Sequence, residues 1–353
     1  MRLPGLVDVH VHLRQPGGEH KEDWTSGTAA ALAGGITTVL AMPNTHPPVV
    51  DRASFDATTQ LAAAGAVCDY ALFVGASSEN VESAAEMAAG AAGLKMYLND
   101  TYGELRLDRA ADWPRHLEAW PLSRPVVAHA EGETAAAIID AARLVGRPIH
   151  ICHVSSRFEI ELIADAKNSG TDVTCEVAPH HLFLTEKDSP AIGDRRAIVR
   201  PPLGTEDDQR ALWEHLDVID CFATDHAPHL AAEKDSAEPP PGFPGLETVL
   251  PLLLDAVHRE QLTVDDVIRR MHDRPTEIFG LPTDETTFVE VDEDHAWTIS
   301  AYAMFSKARW TPFEGRRVRG RVRRVVLRGE EAYKDGVITA RPGTGRAIRT
   351  ENR

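Results

Sequence analysis

Residues 8–18 read DVHVHLRQPGG, with His10 and His12 two apart in a short apolar run and Arg14 two further on. Alternate residues of a strand share a face, so the two imidazoles project together while Val9 and Val11 point toward covering helices. Metal-competent side chains recur at the ends of other apolar runs: Lys95 in GLKMYL, His129 in PVVAHAE, His153 in PIHICHV and Asp225 in IDCFATDHA. A single buried histidine is ordinary, but burying this whole set without a shared partner would cost on the order of several kcal/mol. Imidazole and carboxylate donors with little thiolate suit zinc, with manganese, cobalt or iron as alternatives. The four histidines and the aspartate are enough for two ions if something anionic bridges them. Lys95 supplies a candidate bridge. Lysine gives up its proton readily when buried, and the free amine can capture carbon dioxide as a carbamate with one oxygen for each metal. The alternative, a plain ion pair, lacks an obvious acid in AAGLKMYLND before Asp100.

Such residues need a scaffold that brings strand ends together. Short β-rich runs at 6–13, 36–43, 69–76, 93–98, 125–131, 148–154, 172–178 and 219–227 alternate with helical patterns such as 24–33, 133–146 and 157–170. Gly34-Gly35 ends the first of these helices. Eight strands with interleaved helices match a closed (β/α)8 TIM barrel, whose active site lies at the C-terminal strand ends. No Gly-rich phosphate loop follows the first strand, which argues against an open doubly wound sheet. After the eighth strand, SAEPPPGFPGLET (236–248) cannot be helix through its prolines, and its glycines suit close backbone approach. Apolar helical patterns follow at 249–258 and 263–272, and 320–338 reads as strands with a turn at Asp335-Gly336. The expected division is a catalytic barrel over 1–280 and a small β appendage over 281–353, formed mainly by the C-terminal tail and packed on the barrel.

A net charge of −17 argues against nucleic-acid binding, so the arginines between Arg316 and Arg328 read as an exposed strand face. The chain has 7 lysines, which fits either a salt-rich cytoplasm or a GC-rich genome. No apolar stretch reaches the roughly 18 residues a membrane helix needs, and no signal segment opens the chain. Cys68, Cys152, Cys175 and Cys221 form no CxxC pair, as expected of reduced thiols in a cytoplasmic protein.

The segments DVHVHLRQPGGEHKEDW, AMPNT, GLKMYLN, VAHAE, HICHVS, EVAPHHLFL, FATDHAPH and PPPGFPGLET resemble, in order, those of dihydroorotases in the amidohydrolase superfamily. They are especially similar to the dihydroorotase domain of the animal multifunctional pyrimidine-synthesis protein. HxH alone specifies only the superfamily; HxHxR with the MPNT asparagine and DHAPH is more specific. The resemblance implies one zinc on His10, His12, carboxylated Lys95 and Asp225, and a second on Lys95, His129 and His153. It implies reversible ring closure of N-carbamoyl-L-aspartate to L-dihydroorotate, the third step of pyrimidine synthesis. Asp225 would move the proton between the attacking water and the ring nitrogen. Arg14, Asn44 and His229 would bind substrate, with Arg200 and the Pro241-Gly242 backbone at the ring or its carbonyls. LNDTYGE (98–104) resembles the family's mobile loop, on which Thr101 would reach the substrate. Tyr102 there replaces a phenylalanine and Gln15 a glutamate of the animal type. Animal-type relatives also suggest a third zinc on Cys152, Glu176 and His181, beside His180. Against it, Cys152 and His153 are consecutive and should face opposite ways.

The resemblance makes a homodimer the expected assembly, with association with aspartate transcarbamoylase an open alternative. The nearest rival readings are a hydantoinase, dihydropyrimidinase or allantoinase, which share the metal ligands but bind no substrate carboxylate at this position. A rival of another class is an inactive scaffold for aspartate transcarbamoylase, which should have lost ligands.

Overall fold

A computed structural model describes residues 1–348. After a short strand β1 (Arg2–Pro4) come β2 (Leu6–Val11), β3 (Ile36–Ala41), β4 (Asp69–Gly75), β5 (Gly93–Tyr97), β6 (Val126–His129), β7 (Ile149–Ile151), β8 (Val173–Val177) and β9 (Cys221–Phe222). From β2 to β9 these form one parallel sheet in sequence order. A parallel bridge between Val11 and His226 joins its two ends, with the His12 amide donating to the His226 carbonyl at 2.8 Å. The eight expected strands therefore all appear, in a nearly closed barrel with helices between them. The last is much shorter than its apolar run, because Thr224 leaves the sheet to donate to Asp8 through both its amide (3.1 Å) and its hydroxyl (2.5 Å).

Local chemistry accounts for the helices. Helix Trp24–Ala33 starts where the Asp23 carboxylate accepts from the Ser26 amide at 2.7 Å. It ends at Gly34-Gly35, where Gly35 has φ +83° and a Cβ on Gly34 would lie 1.9 Å from the Leu246 carbonyl. Helices Glu133–Leu144 and Arg157–Asn168 bury Ala135, Ile138, Ile139 and Ala142, and Ile160 and Ile163, at helical spacing against the barrel.

Strict alternation along β2 does not hold. Val7 and Val9 pack with Leu40, Phe73, Val127, Cys152 and Cys221, residues drawn from strands all round the barrel, and so face its interior rather than the helices. A register shift between Asp8 and Val11 then turns His10 and His12 inward as well. A bulge re-aims side chains in this way.

A second, antiparallel sheet has the order β1, β10 (Phe288–Thr298), β11 (Arg317–Leu327), β12 (Glu330–Lys334) and β13 (Val337–Ile338). The tail supplies four of its strands and the N-terminus one. Along β11, buried Val318 and Val322 alternate with arginines, and Arg323 and Arg324 pair with Asp292 and Glu331. This matches the exposed strand face expected from the sequence. Leu3, Val289, Val322 and Val325 share one apolar core with the outer barrel residues. Beyond β13 the chain returns to the barrel, where the Ile348 amide donates to the Tyr70 carbonyl at 2.8 Å.

The loop before β11 is held to the barrel by carboxylates. Glu247 accepts from the amides of Phe305 (2.9 Å) and Ser306 (3.0 Å), and Glu22 accepts from the Ser306 hydroxyl at 2.6 Å. Burial pushes the Glu247 carboxyl up to about 7, against the lowering effect of those amides. The folded state thus binds this proton more tightly than the unfolded chain. Its contribution to stability is complete below the ordinary glutamate value and is lost as the pH rises through about 7. Melting curves across that range should show a decline that Glu247→Gln flattens. Gly34→Ala, which drives a methyl into the Leu246 carbonyl, should cost about 1–3 kcal/mol in denaturant titration.

Candidate metal centre and substrate pocket

The C-terminal strand ends converge on a buried cluster. His10 and His12 each place Nε2 against the same Asp225 carboxylate oxygen, at 3.3 and 3.2 Å. The other nitrogen of each ring is already committed. His10 Nδ1 donates to Glu176 at 2.5 Å, and His12 Nδ1 donates to the Asn44 side-chain oxygen at 2.6 Å. Burial, with Lys95 nearby, lowers the His10 pKa to about 4, and burial together with Arg14 takes His12 well below its usual value, so both rings are neutral near pH 7. Two Nε2 lone pairs and a carboxylate oxygen then face one another with no donor between them. That is an arrangement for a cation, and the ligand atoms of His10, His12 and Asp225 lie within 4.8 Å of one another.

The second half lies beside it. His129 Nδ1 is 2.9 Å from His153 Nε2, and the His153 ring centroid is 5.1 Å from that of His10. His153 Nδ1 is buried without a hydrogen-bond partner, and burial followed by His129 and His10 keeps this ring neutral. Lys95 is fully buried (0% exposed) and makes no ion pair among the described residues. Its Nζ donates to Cys152 Sγ at 2.9 Å. Burial raises the Asp225 carboxyl, an effect that His10 and Lys95 oppose.

The backbone at three of these positions is left-handed: Arg14 (φ +60°), His153 (φ +34°) and Asp225 (φ +45°). Such conformations cost of order 1–3 kcal/mol each and gather at functional sites. At His153 the turn defeats strand alternation, so that consecutive Cys152 and His153 both reach the centre. Of the set Cys152, Glu176 and His181, the first two gather with His10 rather than with His181. Both Glu176 oxygens are in use, one by His10 and the other by His150 at 3.2 Å, while His181 Nε2 donates to the Pro201 carbonyl at 3.3 Å.

Beside the centre, Arg14 is buried (5% exposed). Its Nε donates to the Pro228 carbonyl at 3.1 Å, and its Nη2 is 3.0 Å from His229 Nε2. It has no carboxylate partner among the described residues. The Tyr102 ring packs edge-on against His229 at 4.8 Å, and the Tyr102 carbonyl accepts from Asn44 Nδ2 at 2.9 Å. The loop 98–104 thus closes over Arg14, with Thr101 half-buried beside Tyr102. The Pro241 carbonyl faces His229 Nε2 at 3.0 Å. Gly242 takes φ +137°, and a Cβ there would lie 2.5 Å from the Ala227 carbonyl, the close approach expected of this segment. Arg200 is exposed, with only a 3.5 Å contact to the Val199 carbonyl.

A dihydro-orotase-like family model matches residues 1–104. The chain is 58% identical over 99% of its length to the multifunctional protein CAD of Squalus acanthias, of which it spans 16%. It is 40% identical over 98% of its length to the dihydroorotase of Pyrococcus abyssi, of which it spans 87%. The chain belongs to the dihydroorotase family. Two solved structures share the fold. The inactive dihydroorotase-like domain of a Chaetomium thermophilum CAD-like multifunctional protein is 31% identical with a TM-score of 0.84, 98% of each chain being covered. The L-hydantoinase of Arthrobacter aurescens is 24% identical with a TM-score of 0.93, covering 99% of this chain and 89% of that one. Membership of this family makes a metal cofactor the expected occupant of the buried cluster, and the donor set fits one. No helix of the described residues is long and apolar enough to cross a membrane.

Sequence reasoning missed the partners that orient the donors. Glu176, a candidate member of the third site, and Asn44, a candidate substrate contact, each also accept a hydrogen bond from a histidine. Lys21 was not singled out at all. A carboxylate on the strand facing His10 was the available signal for Glu176, but register decides which residues face. Glu176→Ala should free the His10 ring and lower metal affinity by about 10–100-fold, read by metal content after dialysis against a chelator.

Proposed function

We propose that the chain is a zinc-dependent dihydroorotase, interconverting N-carbamoyl-L-aspartate and L-dihydroorotate in pyrimidine synthesis. The observation that carries this reading is Arg14, a buried guanidinium without an acidic partner, set beside a cluster of metal-competent donors. Such a cation calls for a carboxylate on the substrate, and its planar fork can take one with paired hydrogen bonds. One metal would sit on His10, His12, Asp225 and Lys95, and the other on Lys95, His129 and His153. A Lys95 ammonium in this position would be poorly compensated, which supports its conversion to a carbamate bridging the two. Bound there, the metals supply Lewis acidity and a water acidified to near neutral pH.

The residues of the chain do the remainder. Asp225, with a carboxyl made less acidic by burial, is suited to take a proton from water and pass it to the ring nitrogen. Arg14 would hold the α-carboxylate with His229 packed beside it, and Asn44 ties His12 to the loop that excludes water. Thr101 and the Pro241-Gly242 backbone would meet the ring, and Arg200 would have to swing inward to do so.

The two rivals differ in what they require. A hydantoinase-type substrate would leave Arg14 unpaired, and an inactive scaffold has no need of a complete donor set. The four buried free thiols support a cytoplasmic setting. A homodimer, and contact with aspartate transcarbamoylase, belong to the same proposal and are checked by sedimentation with and without that enzyme.

Steady-state turnover of dihydroorotate should exceed that of dihydrouracil by about 100-fold or more, the cost of leaving a buried charge unpaired. Failure on dihydroorotate would sink the assignment. Metal analysis should give close to two zinc ions per chain; a third ion at Cys152, Glu176 and His181 would require these side chains to rearrange. Lys95→Ala should lose both metal and activity, and full retention of either removes the carbamate bridge.

A further inference from the structure

Lys21 lies at the junction of three segments that the metal donors do not explain. It is buried, and its Nζ has three partners: the Tyr102 hydroxyl at 3.0 Å, His229 Nδ1 at 3.2 Å and a Glu233 carboxylate oxygen at 3.0 Å. These match the three hydrogens of an ammonium, which donates and cannot accept. They belong to the loop 98–104, to the segment after β9, and to the short helix Ala231–Lys234.

The consequence for His229 follows from counting donors. Its ring meets Lys21 Nζ at Nδ1, and meets both Arg14 Nη2 and the Pro241 carbonyl at Nε2. Burial, then Arg14, Lys21 and Lys234, hold the ring neutral, so it has one N–H and one lone pair. With the proton on Nε2, Lys21 donates to Nδ1 and the ring donates to Pro241. With the proton on Nδ1, only the Arg14 contact is satisfied. Lys21 therefore selects the first tautomer, and in it Arg14 Nη2 finds no acceptor on the ring.

We infer that Lys21 is a positioning residue for the substrate carboxylate: one ammonium sets the His229 tautomer that leaves Arg14 Nη2 free for an anion, and at the same time latches the loop through the Tyr102 hydroxyl. This rests on the dihydroorotase reading for the identity of the anion, though not for the latch. The latch depends on the Tyr102 hydroxyl, which a phenylalanine at this position would lack. Arg14 Cζ and Lys21 Nζ also each lie 4.8 Å from the centroid of the Tyr102 ring, so both cations contact the loop.

The test uses Tyr102→Phe, Lys21→Met and the double variant, with Lys21→Arg as the conservative control. Tyr102→Phe keeps the ring on His229 and should raise KM for dihydroorotate about three- to tenfold, the net worth of one ordinary hydrogen bond, with kcat little changed. Tryptic cleavage after exposed Arg106 in the substrate-free protein should speed up by a similar factor. Lys21→Met should move the His229 ¹⁵N signals away from the Nε2–H pattern and raise KM at least as far. The double variant should be no worse than Lys21→Met, because both remove the same bond. Lys21→Arg should recover part of the KM. The inference is overturned if Tyr102→Phe changes neither KM nor cleavage, or if the two substitutions add. Should Lys21→Met fail to fold, Tyr102→Phe and the wild-type ¹⁵N signals decide alone. If the wild type does not turn over dihydroorotate, the functional reading falls, while cleavage rates and the His229 tautomer still judge the latch.

Discussion

The Nε2 donors of His10 and His12 are usable because the Nδ1 proton of each ring is engaged elsewhere. Glu176 accepts a hydrogen bond from Nδ1–H of His10, and Asn44 accepts one from Nδ1–H of His12. The two Nε2 lone pairs are thereby aimed at the Asp225 carboxylate with nothing to donate between them. Burial holds both rings neutral near pH 7. A cation is what removes the conflict, and the rest of the barrel mouth is consistent with that demand. Left-handed turns at Arg14, His153 and Asp225, and the register shift in β2, bring side chains inward that a regular strand would turn away. Strain of this kind persists where surrounding packing over-determines it.

The second sheet takes part in the site from a distance. The indole of Trp310 donates to the His229 carbonyl at 2.8 Å, and the loop at Phe305–Ser306 is seated on Glu22 and Glu247. Lys234, buried nearby, donates to the carbonyls of Ile198 (2.6 Å) and Pro240 (2.9 Å) and so ties down the Pro241-Gly242 segment. Residues that meet the substrate in the proposed reaction are thus held from behind by the tail of the chain.

Much of this was legible in the chain itself. Eight apolar runs with interleaved helical patterns foretold the barrel, and the recurrence of His10, His12, Lys95, His129, His153 and Asp225 at run ends foretold where donors would collect. Other points were out of reach. Alternation put Val9 on the helix side and set Cys152 against His153, and both readings failed where the backbone departs from a regular strand. The match between Lys21 and Tyr102 joins residues 81 positions apart, and no local pattern announces it.

Residue type and spacing determined the kinds of donor available, their order along the chain, the barrel and the family. These depend on periodicities of two and 3.6 residues and on turn chemistry, which act over a few residues. The tertiary structure alone decided which nitrogen of each imidazole is free, which carboxylate serves as a proton acceptor, and which lysine meets the loop. Those outcomes depend on register, left-handed turns and burial, which arise only when distant strands are brought side by side.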